Sequence, residues 1–170
     1  MYLLAKNMTR RTGANNPKGE RSFKMSTRCQ IGFYESKEKP LKEFEVLIYR
    51  HSDGYPGTIQ GREYGVLTDI VPFLRWWTKA RGMSDLEYVS ARLLQYLCNK
   101  YDGAYKKNYE KVSQQKEGFT GILGHGICKT FHWDIAYFYR IYPNVLEVYK
   151  ANICEKFKDS DFKLLKTIPL

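Results

Sequence analysis

The feature that most constrains the fold is a stretch of helical hydrophobic period in the middle of the chain. Residues 67–82 repeat large apolar side chains at the spacing i, i+3, i+4 and i+7. These side chains are Ile70, Phe73, Leu74 and Trp77. The spacing predicts an amphipathic helix. Asp69 is its predicted N-cap, because Pro72 is tolerated only close to a helix start, and Gly82 is its predicted stop.

A second helix is predicted directly after the first. Ser84 and Glu87 have the spacing of a capping box, and an apolar stripe continues from them to about Lys100. The stripe consists of Leu86, Val89, Leu93 and Leu97. Residues 99–118 then lose the apolar period and gain lysines, so this segment is predicted to be a long exposed loop.

The segments on both sides of the helical region alternate with a period of two, which is typical of half-buried strands. Residues 28–34 and 44–51 are predicted to pair as an antiparallel hairpin, because the charged segment between them contains Pro40. Two or three further strands are predicted within 127–131, 135–141 and 145–149, and a short helix at 161–166. Tyr142-Pro143-Asn144 is the predicted turn between the last two strands.

Together these elements predict one α+β domain over residues 26–170. Its sheet is expected to be antiparallel, with about four to five strands and with the two helices inserted between strands 2 and 3. Residues 1–25 have no apolar period and carry six lysines and arginines against Glu20 alone, half of the chain's net charge of +10. They are therefore predicted to be a flexible basic arm.

The cysteines and the hydropathy pattern exclude several classes of protein. The four cysteines are far apart and form no C-x-x-C pair, so neither a zinc finger nor a dithiol redox motif is predicted. No apolar run approaches the ~20 residues of a membrane span, and no secretory segment is recognisable. We expect a cytoplasmic protein with reduced thiols and no membrane partner.

Two His-x-Asp pairs are the strongest candidates for chemistry. His51 and Asp53 lie in YRHSDGYPG, and His132 and Asp134 lie in FHWD, which follows His125. Residues i and i+2 share a face of a strand, so each pair presents an imidazole and a carboxylate together. Two such pairs on neighbouring strands would form a metal site, or the general acid and base for attack on a phosphoester. The structural alternative is that each aspartate serves only a turn, a helix cap or an ion pair.

The predicted loop after the second helix suggests an anion-binding surface. Its tyrosines interleave with lysines, so flat rings for base stacking alternate with cations for phosphates. Tyr105, Lys106 and Lys107 are its candidate ligand-binding residues. The first helix adds a basic face of Arg75, Lys79 and Arg81. The structural alternative is a solvated, charged loop with no ligand.

Three segments together resemble a group of small bacteriophage and prokaryotic proteins. They are STRCQI (26–31), IYRHSDGYP (48–56) and VSARLLQYL (89–97). The group carries an N-terminal Thr-Arg and a Tyr-x-His-x-Asp-Gly-Tyr-Pro motif, and the resemblance covers about residues 26–100. It implies a recurrent module in a viral or mobile-element setting, which would place the protein in the host cytoplasm, and it implies no particular reaction. It also implies that residues 1–24 are an extension and that Arg50, His51, Asp53 and Tyr55 form a site.

Three hypotheses about function follow. The first is a cationic binding module for a phosphate-bearing ligand, either a nucleic acid or a nucleotide, that interferes with a host process. Its candidate ligand-binding residues are Arg50, His51, Asp53, Tyr55, Tyr105, Lys106, Lys107 and His125. The second is a metal-assisted phosphoesterase or nuclease with His51, Asp53, His132 and Asp134 as catalytic residues. The third is an inhibitor that docks on an acidic host protein. The sequence leaves the metal and the cofactor unassigned.

Overall fold

In the part of the chain that it describes, the computed structural model of the protein contains one six-stranded sheet and two long helices. It describes residues 27–51, 53–57, 65–112, 124–153 and 157–170, with the backbone alone for 101–112. The predicted α+β class is confirmed, and so is the position of both helices between the second and third strands of the chain. The predicted basic arm, residues 1–25, lies outside the described residues.

The sheet is mixed and has six strands, so the prediction of an antiparallel sheet of four to five strands is wrong in both respects. The elements are β1 (Cys29–Phe33), β2 (Val46–Arg50), α1 (Val66–Arg81), α2 (Leu86–Val112), β3 (His125–Cys128), β4 (Tyr137–Tyr142), β5 (Val145–Ala151) and β6 (Phe162–Pro169). Their order across the sheet is β3-β2-β1-β4-β5-β6. β1 and β4 run parallel, and the other neighbours are antiparallel. A parallel pair needs a long crossover, which the two helices and β3 provide here.

Both predicted hairpins are confirmed. β1 pairs with β2, and β4 pairs with β5 through a turn at Pro143-Asn144, where Asn144 has a φ of 64°. Asparagine is one of the few residues that tolerates this left-handed conformation. The helix predicted at 161–166 is instead the strand β6, preceded by a short 3₁₀ turn at Asp159–Asp161. Phe162 and Ile168 bury their side chains at the two ends of this edge strand, and pairing with β5 decides its conformation.

The helix boundaries differ from those predicted. α1 begins at Val66, so Asp69 lies within its first turn and is not the N-cap, while the predicted stop at Gly82 is confirmed by its φ of 74°. The cap of α2 is Asp85, whose Oδ1 accepts a hydrogen bond from the Tyr88 N–H at 2.8 Å, one residue later than the predicted capping box. Aspartate is as good an N-cap as serine, so the spacing alone did not distinguish them.

α2 also continues to Val112, so the predicted loop is wrong for residues 99–112. Residues 113–118 of that prediction lie outside the described part of the chain. The extension, NKYDGAYKKNYEKV, has four lysines, one alanine and one glutamate, which favour a helix, but its tyrosines, asparagines, aspartate and glycine have lower helix propensity. Lengthening a helix that has already formed needs no new nucleation, so the extension continues the part of α2 that the apolar stripe holds against the sheet.

Each face of the sheet has its own core. Both helices cover one face, where the buried side chains include Ile31, Phe33, Ile48, Leu74, Leu93 and Leu97. The opposite face carries a mainly aromatic cluster that includes Tyr34, Leu47, Phe131, Phe138, Phe157 and Phe162. Within the described residues, no helix is long and apolar enough to cross a bilayer.

Candidate functional site

The two His-x-Asp motifs meet at one end of the sheet, on either side of the chain that leads into β1. The Thr27 carbonyl accepts a hydrogen bond from the Gly54 N–H at 2.7 Å. The next carbonyl, that of Arg28, accepts one from the Ala136 N–H at 2.9 Å. The segment after His51 and the segment after His132 are thus held against two consecutive residues, although they are far apart in the sequence.

The ring of Tyr49 lies between the two histidines. Its centroid is 4.6 Å from that of His132 and 6.1 Å from that of His51, and its hydroxyl is 3.4 Å from His51 Nδ1. Tyr49 and His51 share the sheet face opposite the helices, because they are two residues apart at the end of β2. We call Arg28, Tyr49, His51, His132 and Asp134 the Tyr49 site.

Backbone hydrogen bonds hold both histidines in place. The His51 N–H donates to the Gly124 carbonyl at 2.7 Å, which continues the pairing of β2 with β3. The His132 N–H donates to Gln30 Oε1 at 3.0 Å, while Gln30 Nε2 donates to the Thr130 carbonyl at 3.0 Å. Gln30 is fully buried in β1, so one amide side chain fixes the turn that carries His132.

The more buried part of the site contains the ion pair of Arg28 with Asp134 and the protonated phenol of Tyr49. Arg28 and Asp134 form a close ion pair, with 33% of the Arg28 side chain and 17% of the Asp134 side chain exposed. Burial is the main cause that raises the pKa of Tyr49, and the Asp134 carboxylate raises it further. Tyr49 therefore keeps its proton at neutral pH, and its hydroxyl can donate a hydrogen bond. Asp134, expected to present its carboxylate beside His132, is paired with Arg28 instead.

The DGYP segment is docked mainly through its backbone. Gly54 packs so closely that an added Cβ would lie 2.7 Å from the Cys29 nitrogen, and its carbonyl accepts a hydrogen bond from the Tyr139 hydroxyl at 2.9 Å. The Tyr55 carbonyl accepts the Val66 N–H at 2.9 Å, which ties the segment to the start of α1. Asp53 is exposed and has a φ of 54°, so the sharp turn leaves its carboxylate at the surface.

Arg50 lies on the helix face of the sheet, away from Tyr49. Its side chain is 2% exposed, and its guanidinium donates to Asp69 Oδ2 at 2.6 Å. Lys100 of α2 approaches the other oxygen of the same carboxylate at 2.8 Å. Arg50 therefore joins β2 to the two helices through Asp69.

The other sequence-predicted residues lie elsewhere. His125 begins β3, where it is half-buried and paired in register with Arg50. Tyr105, Lys106 and Lys107 lie in the second half of α2, where the structure describes the backbone and not the side chains. In the described ranges, no three His, Cys, Asp or Glu side chains are arranged to hold a metal ion.

The structure adds two aromatic residues that sequence reasoning did not assign to a site. Tyr49 precedes His51 by two residues, so strand periodicity was the available signal. Trp133 lies between His132 and Asp134, and its side chain is 76% exposed. Trp133 follows His132 directly in the sequence, and its large exposed ring suits the stacking of a planar ligand.

Comparison of the chain with protein-family models, with curated proteins and with solved structures gives no match. The resemblance to small bacteriophage and prokaryotic proteins therefore stays a prediction. The geometry of the Tyr49 site and the distribution of charge and aromatic rings are the features of the molecule that bear on its function.

Proposed function

We propose that the protein binds a phosphate-bearing ligand, a nucleic acid or a nucleotide, at the Tyr49 site. One observation carries the proposal: His51 and His132, from motifs far apart in the chain, both contact the ring of Tyr49. Imidazole N–H groups donate hydrogen bonds to phosphate oxygens, and the flat ring of Trp133 is available to stack on a base. The net charge of +10 favours the approach of an anionic ligand.

Two buried polar atoms in the more buried part of the site support this proposal. Within the described residues, Arg28 Nε and Asp134 Oδ1 are buried without a hydrogen-bond partner. Such atoms are rare in folded proteins, because leaving them unpaired costs about 1–3 kcal/mol each. A ligand that opens the ion pair and gives these two atoms hydrogen-bond partners would recover part of this free energy.

Binding to a panel of ribonucleoside monophosphates and triphosphates tests the proposal. We expect His51→Asn and His132→Asn each to weaken the affinity about tenfold or more, since a hydrogen bond to a charged group contributes about 1.5–3 kcal/mol. Isothermal titration calorimetry measures the affinities. Lys163→Ala is the matched control, because it removes an exposed cation from the edge strand β6. If neither histidine variant differs from the control, the Tyr49 site is not the binding site.

A second candidate function is cleavage of a phosphoester, and the shared contact of His51 and His132 with Tyr49 favours it. One imidazole would remove a proton from the attacking water, and the other would protonate the departing oxygen as its bond to phosphorus breaks. This scheme assigns the two catalytic protons to residues of the chain itself. Asp53 and Asp134 then have no direct part in the proton transfers.

Hydrolysis of bis(p-nitrophenyl) phosphate and of a single-stranded RNA tests this candidate. We expect activity that persists in the presence of EDTA and that falls by 10²-fold or more in His51→Ala and in His132→Ala, as is usual for loss of a general acid or base. Activity that EDTA abolishes would point to the metal-assisted alternative. Equal activity in the double variant would exclude both histidines from catalysis.

A further inference from the structure

We infer that the outer surface of α1 and α2 is a second binding surface, whose ligand is single-stranded nucleic acid. A group of aromatic rings lies along the junction of the two helices. It comprises Phe73, Trp76, Trp77, Tyr88 and Tyr96, which we call the helix aromatic surface. The Phe73 ring stacks on Trp77 at 5.7 Å and on Tyr96 at 5.3 Å between centroids.

Trp76 is the exposed end of this group. Its side chain is 61% exposed, whereas Trp77 beside it is buried in the core at 7%. The Trp76 ring is 6.2 Å from Phe73 and 6.0 Å from Trp77, so its inner side is supported by other rings while its outer side faces solvent. Trp76 thus adds little to the core and presents a supported flat surface on which an unpaired base could stack.

Cations lie directly over these rings. The guanidinium of Arg81 is 5.8 Å from the Trp77 centroid, and that of Arg92 is 4.9 Å from the Tyr88 centroid. The ammonium of Lys100 is 6.0 Å from the Tyr96 centroid. Lys79 is a further exposed cation of α1, whereas the guanidinium of Arg75 donates to the Pro169 carbonyl of β6 at 3.2 Å. Cations held beside aromatic rings allow phosphates and bases to be bound along the same path.

The charge balance favours a polyanion. Residues 66–100 contain five lysines and arginines and three acidic residues. Of those three, Asp69 is buried and pairs with both Arg50 and Lys100. Asp85, which caps α2, and Glu87 are exposed, and Arg75, Lys79, Arg81 and Arg92 outnumber them. The surface around Trp76 is therefore cationic and complements a chain of phosphates.

A single strand fits this surface better than a duplex does. The bases of a duplex are stacked on one another and cannot reach exposed protein rings, whereas those of a single strand can. The inference deepens the proposed function, since it makes a polynucleotide rather than a free nucleotide the ligand. The helix aromatic surface rests on the proposed function only for the chemical class of its ligand, which carries phosphate. Its own residues all lie outside the Tyr49 site.

Fluorescence anisotropy with a labelled 12-nucleotide oligo(U) tests the inference on the full chain. We expect Trp76→Ala to weaken binding roughly 5- to 150-fold, which corresponds to the loss of one base stacked on an aromatic ring. Trp76→Leu keeps the apolar bulk without the flat ring and should lose as much. We expect Arg81→Ala and Arg92→Ala each to reduce the slope of log affinity against log salt by about 0.7. Lys163→Ala is the control for an exposed cation outside the surface.

The outcomes separate this inference from the proposed site. Oligo(U) affinity that is unchanged in Trp76→Ala and Trp76→Leu overturns the inference, whatever the mononucleotide titrations show. Loss of oligo(U) binding in the Trp76 variants, with mononucleotide binding indifferent to His51→Asn and His132→Asn, supports the helix aromatic surface and rejects the Tyr49 site. A duplex of the same length that binds as tightly, or poly-glutamate that competes as well as oligo(U), also overturns the inference.

Discussion

Replacing Asp69 by alanine should lower the free energy of unfolding by about 3–5 kcal/mol, which is a large part of the 5–15 kcal/mol typical of a domain. Asp69 is 3% exposed and pairs with Arg50, which is 2% exposed. Without the carboxylate, the guanidinium of Arg50 stays buried between β2 and the helices and loses the opposite charge of Asp69. Urea unfolding followed by circular dichroism measures the change.

Two further variants distinguish the buried ion pair from the exposed one. The side chain of Lys100, which also pairs with Asp69, is 40% exposed. Lys100→Ala should therefore lower the free energy of unfolding by only about 0–1 kcal/mol. The double variant Arg50→Met, Asp69→Leu removes both buried charges and should recover much of the stability lost in Asp69→Ala. If Asp69→Ala costs less than Lys100→Ala, the buried pair does not hold the helices to the sheet.

Replacing Gly54 by alanine should destabilise the protein by about 2–4 kcal/mol and weaken ligand binding at the Tyr49 site. An added Cβ would meet the backbone of Arg28 and Cys29 at 2.7 Å, and backbone cannot move aside as a side chain can. Overpacking of this kind costs about 1–3 kcal/mol, and the Gly54 N–H to Thr27 hydrogen bond adds about 1 kcal/mol if it breaks. Arg28 would be displaced together with its ion pair to Asp134.

Gly57→Ala is the matched control, because it adds the same methyl group three residues along the same segment. An added Cβ at Gly57 meets no atom within 4 Å, so stability and binding should both stay close to those of the wild type. Thermal melts and nucleotide titrations on the two variants measure the contrast. Equal behaviour of the two alanine variants would mean that close packing of the DGYP segment does not support the site.

Much of the local structure followed from the sequence, because it depends on near neighbours. Period-two alternation located both hairpins, and helical periodicity located α1 and the first half of α2. The errors arose where local signals were weak or equivalent. Asp85 and Ser84 are both good N-caps, and the extension of α2 to Val112 lengthens an existing helix without an apolar stripe. Residues 162–169 became a strand because β5 offered an edge for pairing.

The candidate site was partly predictable. The sequence identified His51 and His132, and strand periodicity places Tyr49 on the same face as His51. Nothing local indicated that Asp134 would pair with Arg28, or that Arg50 would be buried against Asp69. Arg28 and Asp134 are 106 residues apart and meet because β1 pairs with β4, whereas Asp69 meets Arg50 because α1 packs on the sheet. The exposure of Trp76 and burial of Trp77 likewise depend on how α1 packs on the sheet.

By itself, the sequence determined the class of fold, the two hairpins, the place of the helices between them and the residue types available for chemistry. Those properties follow from hydrophobic period, turn residues and charge, which act over a few residues. Only the tertiary structure decided that β1 pairs in parallel with β4, and that pairing sets the two His-x-Asp motifs on either side of Thr27 and Arg28. The physical reason is that the backbone N–H and C=O groups along the edge of a strand are the same for every sequence. They can pair with any neighbouring strand, so they do not select one. The choice among neighbours is made by the packing of both cores at once.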